Sequence, residues 1–229
     1  MKSKISEVFQ SIQGEGKYLG VPQVFVRFYG CNIKCDWCDT EASLEREEGS
    51  FKESSSQDLL EVILKEAQSI HSVSLTGGEP LLQKDFLREL LPLLRQRGFL
   101  VYLETNGILF SALEELIDQI DFVSMDFKLP SSTGQKAFWE EHKAFLNIAI
   151  KKDVFIKNVI SLSTTEVDVR FAAKLASEVN RDIVFILQPN TLEIQDGIVD
   201  QCQRFQKVCL EFLTDVRVVP QIHKILGVR

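Results

Sequence analysis

Three of the chain's five cysteines, Cys31, Cys35 and Cys38, fall within eight residues in the spacing C-x3-C-x2-C. They follow the apolar run 24–29, which places them on a loop leaving a strand. Clustered thiolates at this spacing suit a soft metal or an iron–sulfur centre. Tetrahedral structural zinc would need a fourth ligand, and none lies nearby in sequence. Three thiolates suit a four-iron cluster that leaves one iron open to a small chelating ligand, with zinc or a redox thiol group as the alternatives. Cys202 and Cys209, seven apart in a helix-like stretch, have the spacing of core residues. The three histidines, His71, His142 and His223, are scattered.

Other residues of chemical interest follow apolar runs in the same way. Thr76-Gly77-Gly78-Glu79-Pro80 offers two glycines that let backbone approach a ligand, beside a carboxylate; the plainer alternative is a turn with Glu79 exposed. Glu104-Thr105-Asn106-Gly107, Asp126-Phe127-Lys128, Gln188-Pro189-Asn190 and Pro220-Gln221-Ile222-His223-Lys224 repeat the pattern. Arg27 stands among apolar neighbours, where an unpaired charge is costly. Its fork of donors suits a ligand carboxylate, or a protein carboxylate at the end of a strand. Gln13-Gly14-Glu15-Gly16 sets two polar side chains between glycines, and taken alone reads as a polar turn.

The elements that must position these residues alternate between strand and helix. Strands are expected at 23–29, 72–75, 100–103, 122–125, 154–160, 183–187 and 216–219. They are short and rich in Val, Ile, Leu and Phe with little strict alternation, as in parallel sheets buried on both faces. Helices are expected at 56–69, 84–97, 111–118, 138–151, 166–179 and 198–212, the first opened by a capping-box-like Ser55-Ser56-Gln57-Asp58. Pro92 should kink or break the second. The segment 5–12 alternates weakly and reads as one more strand or an edge cover, and 45–57 as a surface loop.

Repeated βα units imply a right-handed parallel α/β fold. Seven strands in 229 residues fit an incomplete (β/α) barrel better than a full one of about 250 residues, with a flat doubly wound sheet as the alternative. In either arrangement the loops above gather at the carboxyl ends of the strands, where active sites form. The chain is 45% hydrophobic and 26% charged, which suits one domain spanning 1–229. A net charge of −7 and a pI near 5.1 argue against a broad nucleic-acid or anionic-membrane surface. No leader or membrane-length apolar run is seen, so a cytoplasmic protein with reduced thiols is expected.

The cysteine spacing, with Trp37 directly before Cys38, and the Gly-Gly-Glu-Pro segment together resemble the radical S-adenosylmethionine (SAM) superfamily. With Gln13–Gly16, Arg27, Cys38-Asp39-Thr40, Lys128-Leu129-Pro130 and the final Pro-Gln-Ile-His-Lys, the chain resembles the 7-carboxy-7-deazaguanine synthases. That resemblance implies an incomplete barrel of the radical SAM type, with mostly parallel strands. It implies a [4Fe–4S] cluster on Cys31, Cys35 and Cys38, and SAM held by Trp37, Asp39, Gly77, Gly78, Glu79, Glu104, Asn106, Ser124, Asp126, Lys128 and Gln188. It places Mg2+ at Thr40, whose plainer role would be to cap a turn. A pterin would lie among Ile12, Gln13, Gly14, Glu15, Gly16, Arg27, Thr76, Gln221 and His223. The implied reaction converts 6-carboxy-5,6,7,8-tetrahydropterin to 7-carboxy-7-deazaguanine with loss of ammonia, towards queuosine-type 7-deazapurines. A flavodoxin or ferredoxin donor and a homodimer are implied too. A glycyl-radical activating enzyme shares the cysteine spacing, and a zinc-bound structural module is the non-enzymatic alternative. Anaerobic reconstitution with iron and sulfide is expected to give a brown protein with iron–sulfide charge-transfer absorbance; a colourless zinc protein would exclude the cluster.

Overall fold

In the computed structural model, which describes residues 1–38 and 51–228, the described strands form one nine-stranded sheet in the order β3-β1-β2-β4-β5-β6-β7-β8-β9. From β2 (Pro22–Phe28) through β4 (Ser72–Gly77), β5 (Val101–Thr105), β6 (Phe122–Asp126), β7 (Asp153–Ile160), β8 (Phe185–Pro189) and β9 (Val216–Val218), neighbours pair in parallel and in chain order. Among these strands the order never reverses, so the doubly wound alternative is excluded. The ends β3 and β9 do not meet, and the barrel stays open.

Helices α1 (Ser56–Glu66), α2 (Lys84–Gln96), α3 (Phe110–Leu116), α5 (Trp139–Ala149), α6 (Glu166–Val179) and α7 (Ile198–Cys209) pack side by side as successive neighbours. They bury apolar stripes against one face of the sheet. On α2 the stripe is Phe86, Leu87, Leu90, Leu91 and Leu94, all essentially inaccessible, each worth about 2 kcal/mol. That stripe explains why α2 runs on past Pro92 rather than breaking there. Pro92 lies on the exposed side, where the carbonyl it leaves unbonded can be solvated. Ser55 caps α1 by accepting from the Asp58 N–H, and α1 stops at Glu66 because Ala67 turns extended.

The strands alternate after all. Val24, Val26, Val73, Leu75, Val101, Leu103, Val123, Met125 and Ile156 face the helices within the main core. The opposite face carries a small apolar cluster, Tyr102, Phe155 and Ile186, and further along the same strands polar side chains. This concave face is filled by the connection between β1 (Lys2–Ile12) and β2. Tyr18 packs edge-on or tilted against His71, Tyr102 and Phe122, and Lys17 and Tyr18 both bond Asp153 at the start of β7.

β1 is longer than expected and runs antiparallel to β2. Residues Lys52–Ser55, expected within a loop, form β3 antiparallel to β1; polarity hid this edge strand. Short helices α4 (Pro130–Thr133) and α8 (Ile222–Leu226) were also not anticipated. No described helix is long and apolar enough to cross a membrane.

Gly16 has φ +73°, and a Cβ there would lie 2.5 Å from the Phe155 ring; Gly20 has φ +88° with nothing near. Gly16→Ala is expected to cost about 3 kcal/mol and Gly20→Ala about 1 kcal/mol in urea unfolding, left-handed strain acting in both but overpacking only in the first.

Candidate active site

A cavity of about 570 Å³ opens at the carboxyl ends of the parallel strands, bordered on one side by Cys31, Cys35, Trp37 and Cys38 and on the other by Ile12, Gln13, Gly14 and Glu15. The register sets its floor. Arg27 pairs with Thr76, Glu104 with Ser124, and Asp126 with Lys157, so these polar side chains stand together on the concave face.

The cysteine wall depends on a close backbone contact. Gly77 has φ +116°, and a Cβ there would lie 2.3 Å from the Phe28 carbonyl oxygen; at Gly78 it would lie 1.9 Å from that of Gly30. Gly78 N–H donates to Phe28 O (3.1 Å) and Glu79 N–H to Gly30 O (2.9 Å). The glycines therefore let β4 press against the start of the cysteine loop, while their backbone still borders the cavity.

Glu79 does not border the cavity. It is fully buried, and its carboxylate accepts from Thr105 Oγ1 (2.9 Å), Asn106 N–H (2.8 Å) and Leu81 N–H (3.1 Å). This differs from the expectation of a carboxylate offered to SAM, because its oxygens are spent on joining its own loop after β4 to the loop after β5. Asn106 continues the wall, donating from Nδ2 to Asn32 Oδ1 (2.7 Å), and its carbonyl accepts from His142 Nε2 (3.1 Å). Burial holds His142 neutral, with its pKa lowered to about 3.

The rest of the loop rests on the turn after β6. Trp37 Nε1 donates to Ser132 Oγ (2.9 Å), Gln135 Nε2 to Lys34 O (2.6 Å) and Asp36 N–H to Thr133 O (3.3 Å). Lys128 lies 4.7 Å from the Trp37 ring centroid and bonds Asp126 Oδ2 at 2.7 Å. Burial is the largest single effect and opposes its charge, but the charge and hydrogen bond of Asp126 together with Cys35 outweigh it, and its pKa is raised. Burial pushes the Cys35 thiol up to about 11 and raises Cys31 as well, with Lys128 pulling both the other way.

On the opposite side Gln13 donates to Glu104 Oε1 (2.8 Å) and Gln23 Oε1 (3.0 Å), and accepts from Glu15 N–H (3.0 Å). Thr76 Oγ1 donates to Glu104 Oε2 (2.8 Å). Glu15 accepts from Lys157 and from Gln221 Nε2 (2.6 Å). Gly14 lies so close to His223 that a Cβ would meet its ring at 2.2 Å. Gly14 and Gly16 are thus packing glycines rather than flexible ones, and Gly16 lies behind the lining, against Phe155.

Of the remaining residues expected in the site, Ser124, Asp126, Gln188, Arg27 and Gln221 all border the cavity. Arg27 Nε is 2.9 Å from Glu7 Oε1, without the alignment of a hydrogen bond, and its guanidinium lies 5.6 Å from the Phe9 ring centroid. Asp39 and Thr40 lie outside the described residues. Sequence reasoning gave no role to Lys157, and did not single out Phe9, Phe25, Val159 or Leu192, which also border the cavity. The signal for Lys157 was present: it continues the inward alternation of Phe155 on β7.

Three cysteines on the loop after the first parallel strand, above a polar cavity in an open, singly wound sheet, are the layout of a radical SAM enzyme, and residues 25–176 match the model of the radical SAM superfamily. The chain is 37% identical to the 7-carboxy-7-deazaguanine synthase of Geobacter sulfurreducens, over 98% of this chain and 97% of that one. It is 36% identical to that of Thermoplasma acidophilum, over 97% and 96%. The crystal structure of QueE from Escherichia coli superposes with a TM-score of 0.68 at 26% identity, covering 95% of this chain and 94% of that one. Archaeal TYW1, at 19% identity and a TM-score of 0.55 over 83% and 72%, shares the fold. The chain belongs to the 7-carboxy-7-deazaguanine synthase family of radical SAM enzymes.

That family implies a [4Fe–4S] cluster and SAM, and the residues present fit them. Three thiols border one cavity, and Asp126 Oδ1 and Gln188 Oε1 are buried there without a hydrogen-bond partner, at a cost that a bound donor would remove. Burial raises the Glu79 pKa to about 7 despite its hydrogen bonds. A carboxyl raised on folding stabilises below its unfolded value and loses that contribution as pH rises through 7. The cluster-free protein should therefore lose about 1–3 kcal/mol of stability between pH 5.5 and 8, and Glu79→Gln should flatten that slope in denaturant titrations.

Proposed function

We propose that the chain, acting as one domain spanning 1–229, converts 6-carboxy-5,6,7,8-tetrahydropterin to 7-carboxy-7-deazaguanine with loss of ammonia. The observation that carries this reading is the cavity with two walls, thiols on one and a Gln13–Glu15 edge on the other. When bound, the cluster and SAM supply one-electron cleavage of a sulfonium and a carbon radical that abstracts hydrogen. The protein's own part is to bind and orient.

Cys31, Cys35 and Cys38 would hold the cluster. Gly77 and Gly78, through backbone, and Asn106, Ser124, Asp126 and Gln188, through side chains, would hold SAM, with Trp37, Asp39 and Lys128 at the cysteine end. On the substrate side Glu15 offers a carboxylate to the donor edge of a pterin, and Gln13, whose two amide N–H groups are spent on Glu104 and Gln23, adds its amide oxygen as a further acceptor. Arg27 spends one of its five donors beside Glu7 and has others for the substrate carboxylate. Ile12 and Phe25 supply apolar wall. Gln221 and His223 close the mouth over Gly14, where the Ile222 N–H donates to Gly14 O (2.9 Å). Holding both reactants in one enclosed cavity is the main kinetic service the residues offer.

Mg2+ at Thr40, a flavodoxin- or ferredoxin-like donor, a homodimer and a cytoplasmic location complete the proposal, on the strength of family resemblance. The test is anaerobic incubation of the iron- and sulfide-reconstituted protein with reductant, SAM and the carboxypterin. Deazaguanine product and released ammonia are expected. An intact, reducible cluster with no product would reject the substrate. Gln13→Ala should lower kcat/KM at least tenfold, as expected for losing a buried hydrogen-bonding edge.

A further inference from the structure

Lys157 is a charged cavity residue to which the proposed function gives no role. It stands on β7 in register with Asp126. Its ammonium bonds Glu15 Oε2 and lies 3.7 Å from Asp126 Oδ2. Those carboxylates belong to opposite halves of the site, Glu15 to the proposed pterin side and Asp126 to the proposed SAM side. The other Glu15 oxygen is held by Gln221, which in turn accepts from Thr191 Oγ1 at 2.5 Å. Asp126 already shares Lys128. Glu104 adds a third acid to the same cavity.

Three carboxylates share one cavity, and like charges this crowded oppose one another's ionisation unless a cation stands among them. A protonated Glu15 would present a donor where a pterin presents its own. The ammonium of Lys157 prevents that, and with Gln221 it fixes the carboxylate in one orientation. The contrast on the same strand is Lys17 with Asp153, a clamp at the far end of the sheet, away from the cavity.

We infer that Lys157 is a positioning residue that keeps Glu15 ionised and aimed at the donor edge of the substrate. This rests on the pterin reading of the site. Tyr102, Glu104, Asp126, Lys128, His223 and Lys224 are the other titratable groups around Glu15, so the test must separate Glu15 from them.

The test is anaerobic equilibrium dialysis of the reconstituted enzyme with 6-carboxy-5,6,7,8-tetrahydropterin and, separately, with SAM. Lys157→Met should weaken pterin binding about 10- to 100-fold at pH 7, the scale of a charge-assisted hydrogen bond, while SAM binding stays within about twofold of wild type. Pterin affinity should recover as pH rises, because the unsupported Glu15 then ionises, and Lys157→Arg should restore part of it at pH 7. Adding Glu15→Gln to Lys157→Met should abolish the pH dependence; its persistence would assign it to another group such as His223 and overturn the inference. The same double variant removes both buried charges and is the fallback if Lys157→Met does not fold. In that fallback it should bind the pterin no tighter than Glu15→Gln alone and without pH dependence; tighter or pH-dependent binding would overturn the inference. Unchanged pterin binding in Lys157→Met would also overturn it, as would equal loss of pterin and SAM with a lower melting temperature. If wild type does not bind the pterin at all, the functional reading fails and takes this inference with it.

Discussion

The approach of two backbones at Gly77 and Gly78 is the constraint on which the rest of the site depends. The carbonyls of Phe28 and Gly30 lie where any side chain at these positions would have to stand. Because none does, the end of β4 hydrogen-bonds directly to the residues that lead into Cys31. Glu79, next in the chain, then reaches under the loops and ties Leu81, Thr105 and Asn106 together. The ends of β4 and β5 are thereby locked to the cysteine loop before any ligand arrives. A buried carboxylate is an expensive tie, but breaking it would strand a buried acid or its donors, so the arrangement is self-enforcing.

The opposite wall is organised by charge rather than by close packing. Polar contacts run from Gln23 through Gln13 to Glu104, and from Gln13 through Glu15 and Lys157 to Asp126, Lys128 and Trp37. The path crosses the cavity floor from the β1–β2 connection to the cysteine loop. Each link is buried or half-buried, where solvent screens it little. The floor therefore holds one arrangement of charges against which two ligands can be placed at a fixed separation.

The layout of parallel strands and the gathering of strand-end loops were legible because hydrophobic runs and polar loop residues alternate along the chain in a way only βα repeats explain. Cys31, Cys35, Cys38, Gly77, Asn106 and Asp126 were found from residue type and position, Gln13 only through the family resemblance, and the structure brings them to one cavity. What could not be read was which atoms are spent. Glu79 reads as a ligand carboxylate because two of its three partners, Thr105 and Asn106, come from a segment distant in sequence. Gly14 and Gly16 read as part of a polar turn because nothing local announces His223 or Phe155. The inward alternation Ser74, Thr76, then Tyr102, Glu104, then Ser124, Asp126 was present in the sequence. Buried polar residues on a concave face look, in one dimension, like irregular apolar strands. β3 was hidden for the reverse reason, since Lys52-Glu53-Ser54-Ser55 carries no apolar residue at all.

That same strand has a bearing on how the molecule behaves in a crowded solution. Among the described residues the open barrel has two border strands, β3 and β9, and a sheet border is a template for pairing with another chain. At one end stands a four-residue strand with a lysine, a glutamate and no apolar side chain. At the other stands a three-residue strand bearing Arg217, whose guanidinium is clasped by Asp215. Both borders are too short and too charged to recruit a foreign strand. Leaving the barrel unclosed provides room for ligands, and these two modest strands keep the opening from becoming a route to aggregation.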